Sequence, residues 1–428
     1  TSRSYNLGRV LDKFKQAFNN AYVIYLNNIY SNQRGSYLKK LLSAMFDEVI
    51  QLPKVGASNK KKFIETINDT ILKIKDNKES NDVFAYRGIT FSDLVLNKIK
   101  NDIIPVLCEI RSQTEHLDSF FKKYPPTIII SQMSRDINYN LGELASFYEI
   151  PSLLISHGSH IPPANEYEMI EWSEHGLGLI STDYQFIALQ SPWAKAHIEK
   201  IPVRSKQVVT GPLLFARIER NQSKKELLRK NIIPGHEDKI VLVHADTPRI
   251  RSDLRFYVYQ TVDEYISSLN SLIKAVEGIK DMYLIIRFRP KYFLTKKHLI
   301  NLLDKSDCYS ICTEGTFEDY LSIADMLISY SSTTIEEALQ NRVPVLLFDR
   351  DGKYCHIKNA QILDNSSKPE INSCYYVGKE ATLTWAFQWL CENHFSKEVS
   401  VSLWNKHVFD DNEKVSLTAF FSNYFKSM

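Results

Sequence analysis

The sequence lacks the short glycine-rich motifs that mark several large enzyme classes. It contains no G-x-x-x-x-G-K-[ST], and no G-x-G-x-x-G follows a predicted strand. Their absence argues against a P-loop nucleotidase and a dinucleotide-dependent dehydrogenase, because both classes bind phosphate through such loops. The pattern G-x-S-x-G is also missing, so the nucleophile elbow of an α/β-hydrolase is not expected.

Cysteines and long apolar runs are scarce as well. The six cysteines include no C-x-x-C pair, which disfavours a disulfide framework and a zinc site, and we expect no metal. Reduced thiols fit a cytoplasmic protein. No apolar run reaches 18 residues, and the opening residues lack the apolar segment of a signal peptide. These absences together predict a cytoplasmic location.

The overall composition is that of an ordinary globular protein. Of the 428 residues, 44% are hydrophobic and 24% are charged. A chain of this length exceeds one ordinary hydrophobic core, so we expect two domains. The formal net charge of +3 is too small to indicate binding to nucleic acid.

Short β-rich runs alternate with longer helical segments along the chain. Most of these runs are continuously apolar, as in parallel strands that helices cover on both faces. The alternation indicates βαβ units and therefore an α/β protein with doubly wound sheets. The predicted strands span residues 22–26, 82–86, 127–131, 152–156, 186–189, 207–211, 239–244, 283–288, 308–312, 325–329 and 344–348.

The boundary between the two domains is predicted after residue 213, because Gly211-Pro212 ends a strand and a polar helix follows. Residues 1–213 would form one Rossmann-like domain and residues 214–404 the other. A final amphipathic helix, within residues 405–428, is expected to pack back on the first domain, with docking on lipid as the alternative. Ligands of doubly wound sheets bind at the carboxyl ends of the strands.

A run of hydroxyl side chains stands where a predicted strand gives way to a helix, in the stretch SYSSTTIEEAL. Backbone N–H groups and hydroxyls at a helix start bind anions, which indicates phosphate binding. A capping box explains only one or two of the hydroxyls. The two glutamates either close that box or accept hydrogen bonds from ribose. The predicted donor-binding residues here are Ser331, Ser332, Thr333, Glu336 and Glu337.

Charged residues end two other predicted strands of the second domain. The sequence RFRPK places three cations, Arg287, Arg289 and Lys291, at the end of one strand. Buried cations need an anionic partner, so they predict phosphate or carboxylate binding, with structural salt bridges as the alternative. Asp246 follows another strand, near several cations. It would stay ionised and act as nucleophile or general base, unless it only caps a turn.

The first domain contributes polar residues after its own strands. The sequence SHGSH contains His157, Ser159 and His160, and Arg135 follows the preceding strand. Histidine can supply acid, base or hydrogen-bonding chemistry near neutral pH. We therefore predict that His157 takes part in catalysis and that Ser159, His160 and Arg135 lie on the acceptor side.

These motifs together resemble the GT-B glycosyltransferases of bacterial surface-polysaccharide synthesis. The resemblance rests on SYSSTTIEEAL followed by PVLLFD, on RFRPK and on the SHG turn, and it covers about residues 150–428 in motif order. It implies an α/β fold with two doubly wound Rossmann-like domains facing a cleft, an acceptor domain followed by a nucleotide-sugar donor domain. Within this group the sequence is similar to the retaining β-Kdo transferases, which use CMP-Kdo.

The resemblance implies transfer of Kdo from CMP-Kdo, with retention, to a lipopolysaccharide O-antigen or a capsule glycan. Asp246 would be the nucleophile, while Arg287, Arg289 and Lys291 would neutralise the phosphate or the Kdo carboxylate. No cofactor is implied, and the partners are the nucleotide sugar and a glycan acceptor. A lipid-linked acceptor would bring the protein to the inner face of the membrane. The alternatives are a CDP-glycerol-type polyol-phosphate transferase and a non-catalytic carbohydrate-binding module.

Overall fold

The structure is a computed structural model of the 428-residue chain. Structural statements below refer to the residues that it describes. These are 10, 15–16, 18, 24–27, 48–51, 57–77, 82–132, 134, 137–156, 162–163, 165–166, 168–170, 180, 183–215, 217–218, 221–248, 258–291, 293–366 and 368–427.

The first half of the chain alternates short strands with helices. Strands β1 and β2 pair in parallel, β3 and β4 form an antiparallel hairpin, and the next four strands form a sheet in the order β5-β6-β7-β8. The strands are β1 (Ile24–Asn27), β2 (Glu48–Gln51), β3 (Ala85–Tyr86), β4 (Ile89–Thr90), β5 (Ile129–Ser131), β6 (Ser152–Ile155), β7 (Phe186–Leu189) and β8 (Lys206–Val209). The helices are α1 (Ala57–Asp76), α2 (Ser92–Lys98), α3 (Ile104–Lys123), α4 (Ile137–Phe147) and α5 (Pro192–Ile198).

The second half of the chain continues the alternation. Its strands are β9 (Ile240–His244), β10 (Met282–Arg287), β11 (Tyr309–Cys312), β12 (Met326–Ser329), β13 (Val345–Phe348), β14 (Gln361–Ile362) and β15 (Cys374–Val377). Its helices are α6 (Gln222–Ile232), α7 (Val262–Glu277), α8 (Lys296–Leu302), α9 (Phe317–Ile323), α10 (Thr334–Gln340), α11 (Leu383–Asn393), α12 (Val401–Trp404) and α13 (Leu417–Ser427).

These seven strands form one parallel sheet in the order β11-β10-β9-β12-β13-β15-β14. The chain starts at the central strand β9 and moves outward to β11. It then crosses to the other side of β9 and moves outward again from β12. This reversal of direction creates a topological switch point between β9 and β12, where doubly wound sheets bind ligands.

Successive side chains of the central strands enter two different hydrophobic cores. Leu242 and Leu284 belong to one core, whereas Val241, Val243 and Ile285 belong to the other. Because strand side chains alternate between faces, the two cores lie on opposite faces of the sheet. A strand buried on both faces must be apolar throughout, which is why the continuous apolar runs in the sequence predicted these strands correctly.

The predicted strand at residues 82–86 is wrong in its first half. Residues 82 and 83 are helical, and only Ala85–Tyr86 is extended. Arg87 and Gly88 follow with positive φ angles of 51° and 79°. Such angles belong to a tight two-residue hairpin turn, which pairs β3 with β4 and leaves no room for a longer strand.

The chain divides by its internal contacts into two compact units. One contains the described residues of Thr1–Leu154, Thr182–Phe186 and Arg204–Lys206, and the other contains those of Ile155–Ser181, Ile187–Val203 and Gln207–Met428. The seven-stranded sheet belongs to the second unit. None of the helices in the described ranges is long and apolar enough to cross a membrane.

Candidate functional site

The switch point of the seven-stranded sheet is where the hydroxyl-rich sequence lies. Strand β9 ends at His244 and is followed by Asp246, while its neighbour β12 ends at Ser329 and leads into α10. The carboxyl ends of both strands therefore bring Asp246 next to the turn at Tyr330 and Ser331. The sequence predicted these segments at strand ends but did not predict their direct contact.

Asp246 is buried, and its carboxylate joins the two turns by four hydrogen bonds. Its Oδ2 accepts hydrogen bonds from Ser329 Oγ at 2.9 Å and from the backbone nitrogens of Tyr330 at 2.9 Å and Ser331 at 2.8 Å. Its Oδ1 accepts one from the nitrogen of Thr247 at 2.7 Å. Hydrogen bonds to an ionised group are the stronger kind. The backbone donors expected to bind a ligand anion at Tyr330 and Ser331 thus bind this carboxylate.

The capping box considered for α10 does not form. Thr333 occupies the position before the helix but makes no side-chain capping bond. Thr334 donates its hydroxyl to the carbonyl of Ala245 at 2.9 Å, and its nitrogen donates to Ser332 Oγ at 3.3 Å. The Asp246 carboxylate and these two bonds hold the turn instead, while Ser332 and Thr333 remain half-buried at its surface.

Arg287 has a structural environment at the end of β10. Its guanidinium donates to the carbonyls of Cys312 at 3.3 Å and Gly315 at 2.8 Å, and it lies 5.1 Å from the ring centroid of Tyr320. Burial lowers the pKa of Arg287 from its ordinary value. The partners of its guanidinium include carbonyls and a ring rather than a carboxylate, which neither of the two predicted accounts included.

The other two cations of RFRPK have different surroundings. The side chain of Arg289 is exposed, whereas Lys291 is partly buried and pairs through its backbone with Leu294. Arg289 is therefore the cation of this group that has both an exposed side chain and a position next to the end of β10.

Glu336 and Glu337 occupy the first turn of α10. Glu336 is buried, and its Oε1 lies 3.9 Å from Nε2 of His356. Glu337 is half-buried. The two glutamates therefore differ in environment, although the sequence treated them as equivalent.

A cluster around Tyr354 was not predicted from the sequence. The Tyr354 hydroxyl is 3.0 Å from Glu168 Oε1 and 2.7 Å from His356 Nδ1. The ring of Tyr354 also packs edge-on against Tyr330, with the centroids 5.4 Å apart. The cluster therefore touches both the switch-point turn and, through His356, the start of α10. Its only local signal is the density of polar and aromatic residues just after β13.

The loop after β13 begins with a D-x-D sequence, Asp349-Arg350-Asp351, that was not among the predicted site residues. Asp349 is buried and accepts hydrogen bonds from the nitrogens of Tyr354 at 2.6 Å and Asp351 at 3.1 Å. Burial raises the pKa of Asp349, and these hydrogen bonds oppose the shift. Asp349 therefore shapes the loop that presents Tyr354. In the described part of the chain, no three His, Cys, Asp or Glu residues are grouped to hold a metal ion.

His244 is buried at the end of β9. Burial lowers the pKa of His244 to about 4, with the Asp246 charge opposing the shift. Its ring lies 5.9 Å from that of Tyr265, and its Nδ1 makes no hydrogen bond to any described residue. His244 is therefore neutral near pH 7. The residues predicted in the first domain, His157, Ser159, His160 and Arg135, lie outside the described residues.

Comparison with known proteins identifies relatives in structure alone. No protein-family model matches the chain, and no curated protein matches it either. The UDP-GlcNAc 2-epimerase of Neisseria meningitidis bound to UDP-GlcNAc is similar with a TM-score of 0.50 and 12% identity, over 95% of this chain and 100% of that one. The UDP-GlcNAc 2-epimerase of Methanocaldococcus jannaschii is similar with a TM-score of 0.50 and 12% identity, over 98% and 96%.

Similarity at this level of identity defines the fold. The chain has an α/β fold with two Rossmann-like domains of the GT-B type, which confirms the predicted fold class. Function has to be argued from the site itself, because one fold supports many activities.

Proposed function

We propose that the protein is a glycosyltransferase that takes its sugar from a nucleotide-sugar donor, bound at the carboxyl ends of β9 and β12. The observation that carries this proposal is the reversal of strand order at the point where the hydroxyl-rich turn stands. Ligands of doubly wound sheets bind at such switch points. A bound nucleotide sugar in the Neisseria relative of similar fold supports the same ligand class.

Two groups of residues would bind the donor. Ser332 and Thr333 would donate to a phosphate through their half-buried hydroxyls, because Asp246 already accepts from the nitrogens of Tyr330 and Ser331. The exposed guanidinium of Arg289 would supply positive charge. Glu336 and Glu337, together with Lys291, complete the set that we propose for the ribose and phosphate.

We propose CMP-Kdo as the first donor to test, and a lipopolysaccharide O-antigen or capsule glycan as the acceptor, on the strength of the sequence resemblance. A UDP-sugar is the competing donor, supported by the UDP-GlcNAc bound in the Neisseria relative. The test is a thermal-shift panel with CMP, CDP, UDP, GDP, CMP-Kdo and UDP-GlcNAc. Saturation at 100 times Kd stabilises a protein by about 2.7 kcal/mol. Stabilisation by CDP alone would favour the polyol-phosphate transferase, and no stabilisation by any of the six would reject the proposal.

The hydrogen bonds of Asp246 support a positioning role rather than the nucleophilic one that the resemblance implies. Oδ2 accepts three hydrogen bonds, so a nucleophilic attack through it would first require the loss of at least one donor. We propose that Asp246 holds the donor-binding turn in place. A trapped glycosyl adduct on Asp246 in a donor-incubated sample, detected by mass spectrometry, would restore the nucleophile assignment.

An epimerase is the second candidate. The specific observation in its favour is the cluster of Glu168, Tyr354, His356 and Glu336, since side chains of these types exchange protons. The relatives of similar fold include proteins described as UDP-GlcNAc 2-epimerases. Incubating the protein with UDP-GlcNAc in D2O separates the candidates, because only an epimerase would exchange the sugar's C2 proton in the absence of an acceptor.

A further inference from the structure

His356 is held at one ring nitrogen and open at the other. Its side chain is 10% exposed, and Nδ1 lies 2.7 Å from the hydroxyl of Tyr354. Nε2 is buried without a hydrogen-bond partner among the described residues, and it lies 3.9 Å from Oε1 of Glu336. A distance of 3.9 Å is too long for a hydrogen bond between these two atoms.

The protons of the cluster can be assigned by counting donors. The carboxylate of Glu168 can only accept, so the single hydroxyl proton of Tyr354 is donated to Glu168. The Tyr354 oxygen must then accept a hydrogen bond from Nδ1–H of His356. A neutral imidazole with its proton on Nδ1 has a bare lone pair on Nε2. Glu168 and Tyr354 therefore present His356 as a hydrogen-bond acceptor.

We propose that His356 is a specificity-determining residue of the nucleotide-sugar site, where Nε2 of His356 and Oε1 of Glu336 accept hydrogen bonds from two adjacent hydroxyls of the ligand, the 2′ and 3′ hydroxyls of ribose. The inference rests on the proposed function and adds His356 as a reader of the donor. Glu168 and Tyr354 are positioning residues, because they act only by fixing the tautomer and orientation of His356.

The chemistry fits a diol better than a phosphate. Two acceptors side by side repel an anion and attract a group that carries two donors. A buried acceptor without a partner is unfavourable, so a ligand hydroxyl that supplies the partner gains affinity. The pair also stands on the first turn of α10 and on the loop after β13, at the same end of the sheet as the hydroxyl-rich turn.

The test compares binding of ribonucleotides with binding of their deoxy analogues by isothermal titration. CMP, 2′-deoxy-CMP and 3′-deoxy-CMP are used, with the three matching uridine nucleotides in parallel. In the native protein each missing hydroxyl should weaken binding about tenfold, the equivalent of one lost hydrogen bond. The variant His356→Asn keeps an amide donor toward Tyr354 and removes Nε2. It should become insensitive to the loss of one of the two hydroxyls, whereas Glu336→Gln should alter sensitivity to the other.

His394→Asn is a matched control. His394 also contacts a tyrosine hydroxyl through Nδ1, at 2.7 Å from Tyr375, but lies in a hydrophobic core region. This variant should discriminate as the native protein does. If His356→Asn proves unfolded, Tyr354→Phe replaces it, because loss of the hydroxyl frees the tautomer and should reduce the same discrimination.

The outcomes separate the inference from the proposed function. Undiminished discrimination at both hydroxyls in a folded His356 variant overturns the inference. Equal binding of ribonucleotide and deoxyribonucleotide by the native protein also overturns it, while leaving a nucleotide site in place. Failure of all six nucleotides to bind the native protein overturns the inference and the proposed function together.

Discussion

The Oδ2 atom of Asp246 lies 2.8 Å from the backbone nitrogen of Ser331, so a carboxylate after β9 holds the turn that begins after β12. The contact joins residues 85 positions apart in the sequence. It gives the switch point of the sheet an internal negative charge. The predictions below concern this charge and the groups around it.

Replacing Asp246 by Asn should destabilise the protein as well as impair its reaction. The amide has no charge and turns one donor group toward other donors, so we expect unfolding free energy to fall by roughly 2–4 kcal/mol. Urea unfolding measures this change. Ser329→Ala, which removes one of the four donors, should cost about 1 kcal/mol and serves as the comparison. Native stability in Asp246→Asn would contradict the positioning role and favour a purely chemical one.

The two arginines of RFRPK should separate into a structural and a ligand-binding residue. Arg287→Ala removes bonds to the carbonyls of Cys312 and Gly315, so it should lower the melting temperature and leave nucleotide affinity nearly unchanged. Arg289→Ala should leave the melting temperature unchanged and weaken nucleotide binding by about 1.5–3 kcal/mol, the range for a charged hydrogen bond. The opposite pattern in paired melting and titration experiments would exchange the two assignments.

His244 should make the protein acid-sensitive. Its folded pKa of about 4 lies below its unfolded value of 6.5, so the unfolded state takes up a proton first as pH falls. The stability that His244 contributes is complete above pH 6.5 and is lost as pH falls toward 4, with a limit of about 3 kcal/mol. His244→Phe should flatten this part of the stability profile in urea unfolding. His116→Asn, at an exposed position of α3, is the control, and an unchanged slope in His244→Phe would refute the prediction.

Glu168 and Tyr354 should be energetically coupled. Tyr354→Phe leaves a buried carboxylate oxygen without its hydroxyl partner, which should cost about 1–3 kcal/mol of stability. Glu168→Gln in the same background should cost less than it does alone, because the bond is already absent. A double-mutant cycle on unfolding free energies should give a coupling of about 0.5–3 kcal/mol. Additive effects would mean that the 3.0 Å contact contributes nothing.

The sequence predicted the strands that carry the site, because their apolar character is local. The strand predicted at residues 325–329 is β12 (Met326–Ser329), and the one at 239–244 is β9 (Ile240–His244). By contrast, β15 (Cys374–Val377) was missed, since its apolar stretch is only four residues long and an irregular segment precedes it. Short strands gain their stability from neighbours in the sheet, which no local pattern records.

The contacts of the site were beyond the reach of sequence patterns. Asp246 finds Ser329 across 83 positions, and Tyr354 finds Glu168 across 186. A run of hydroxyls before a helix predicts an anion site equally well whether the anion is a ligand or the protein's own carboxylate. The same limit applies to Arg287, whose partners on the β11–α9 connection could not be read from the spacing of RFRPK.

The bond network of Asp246 also determines how this part of the sheet moves. The passage from a strand to a helix is normally a place where amide protons exchange with solvent through small local openings. Here the amides of Tyr330 and Ser331 are bonded to a buried carboxylate, so their exchange requires separation of β12 from β9. The turn therefore opens only when the centre of the sheet opens, and it meets an arriving ligand as a rigid surface.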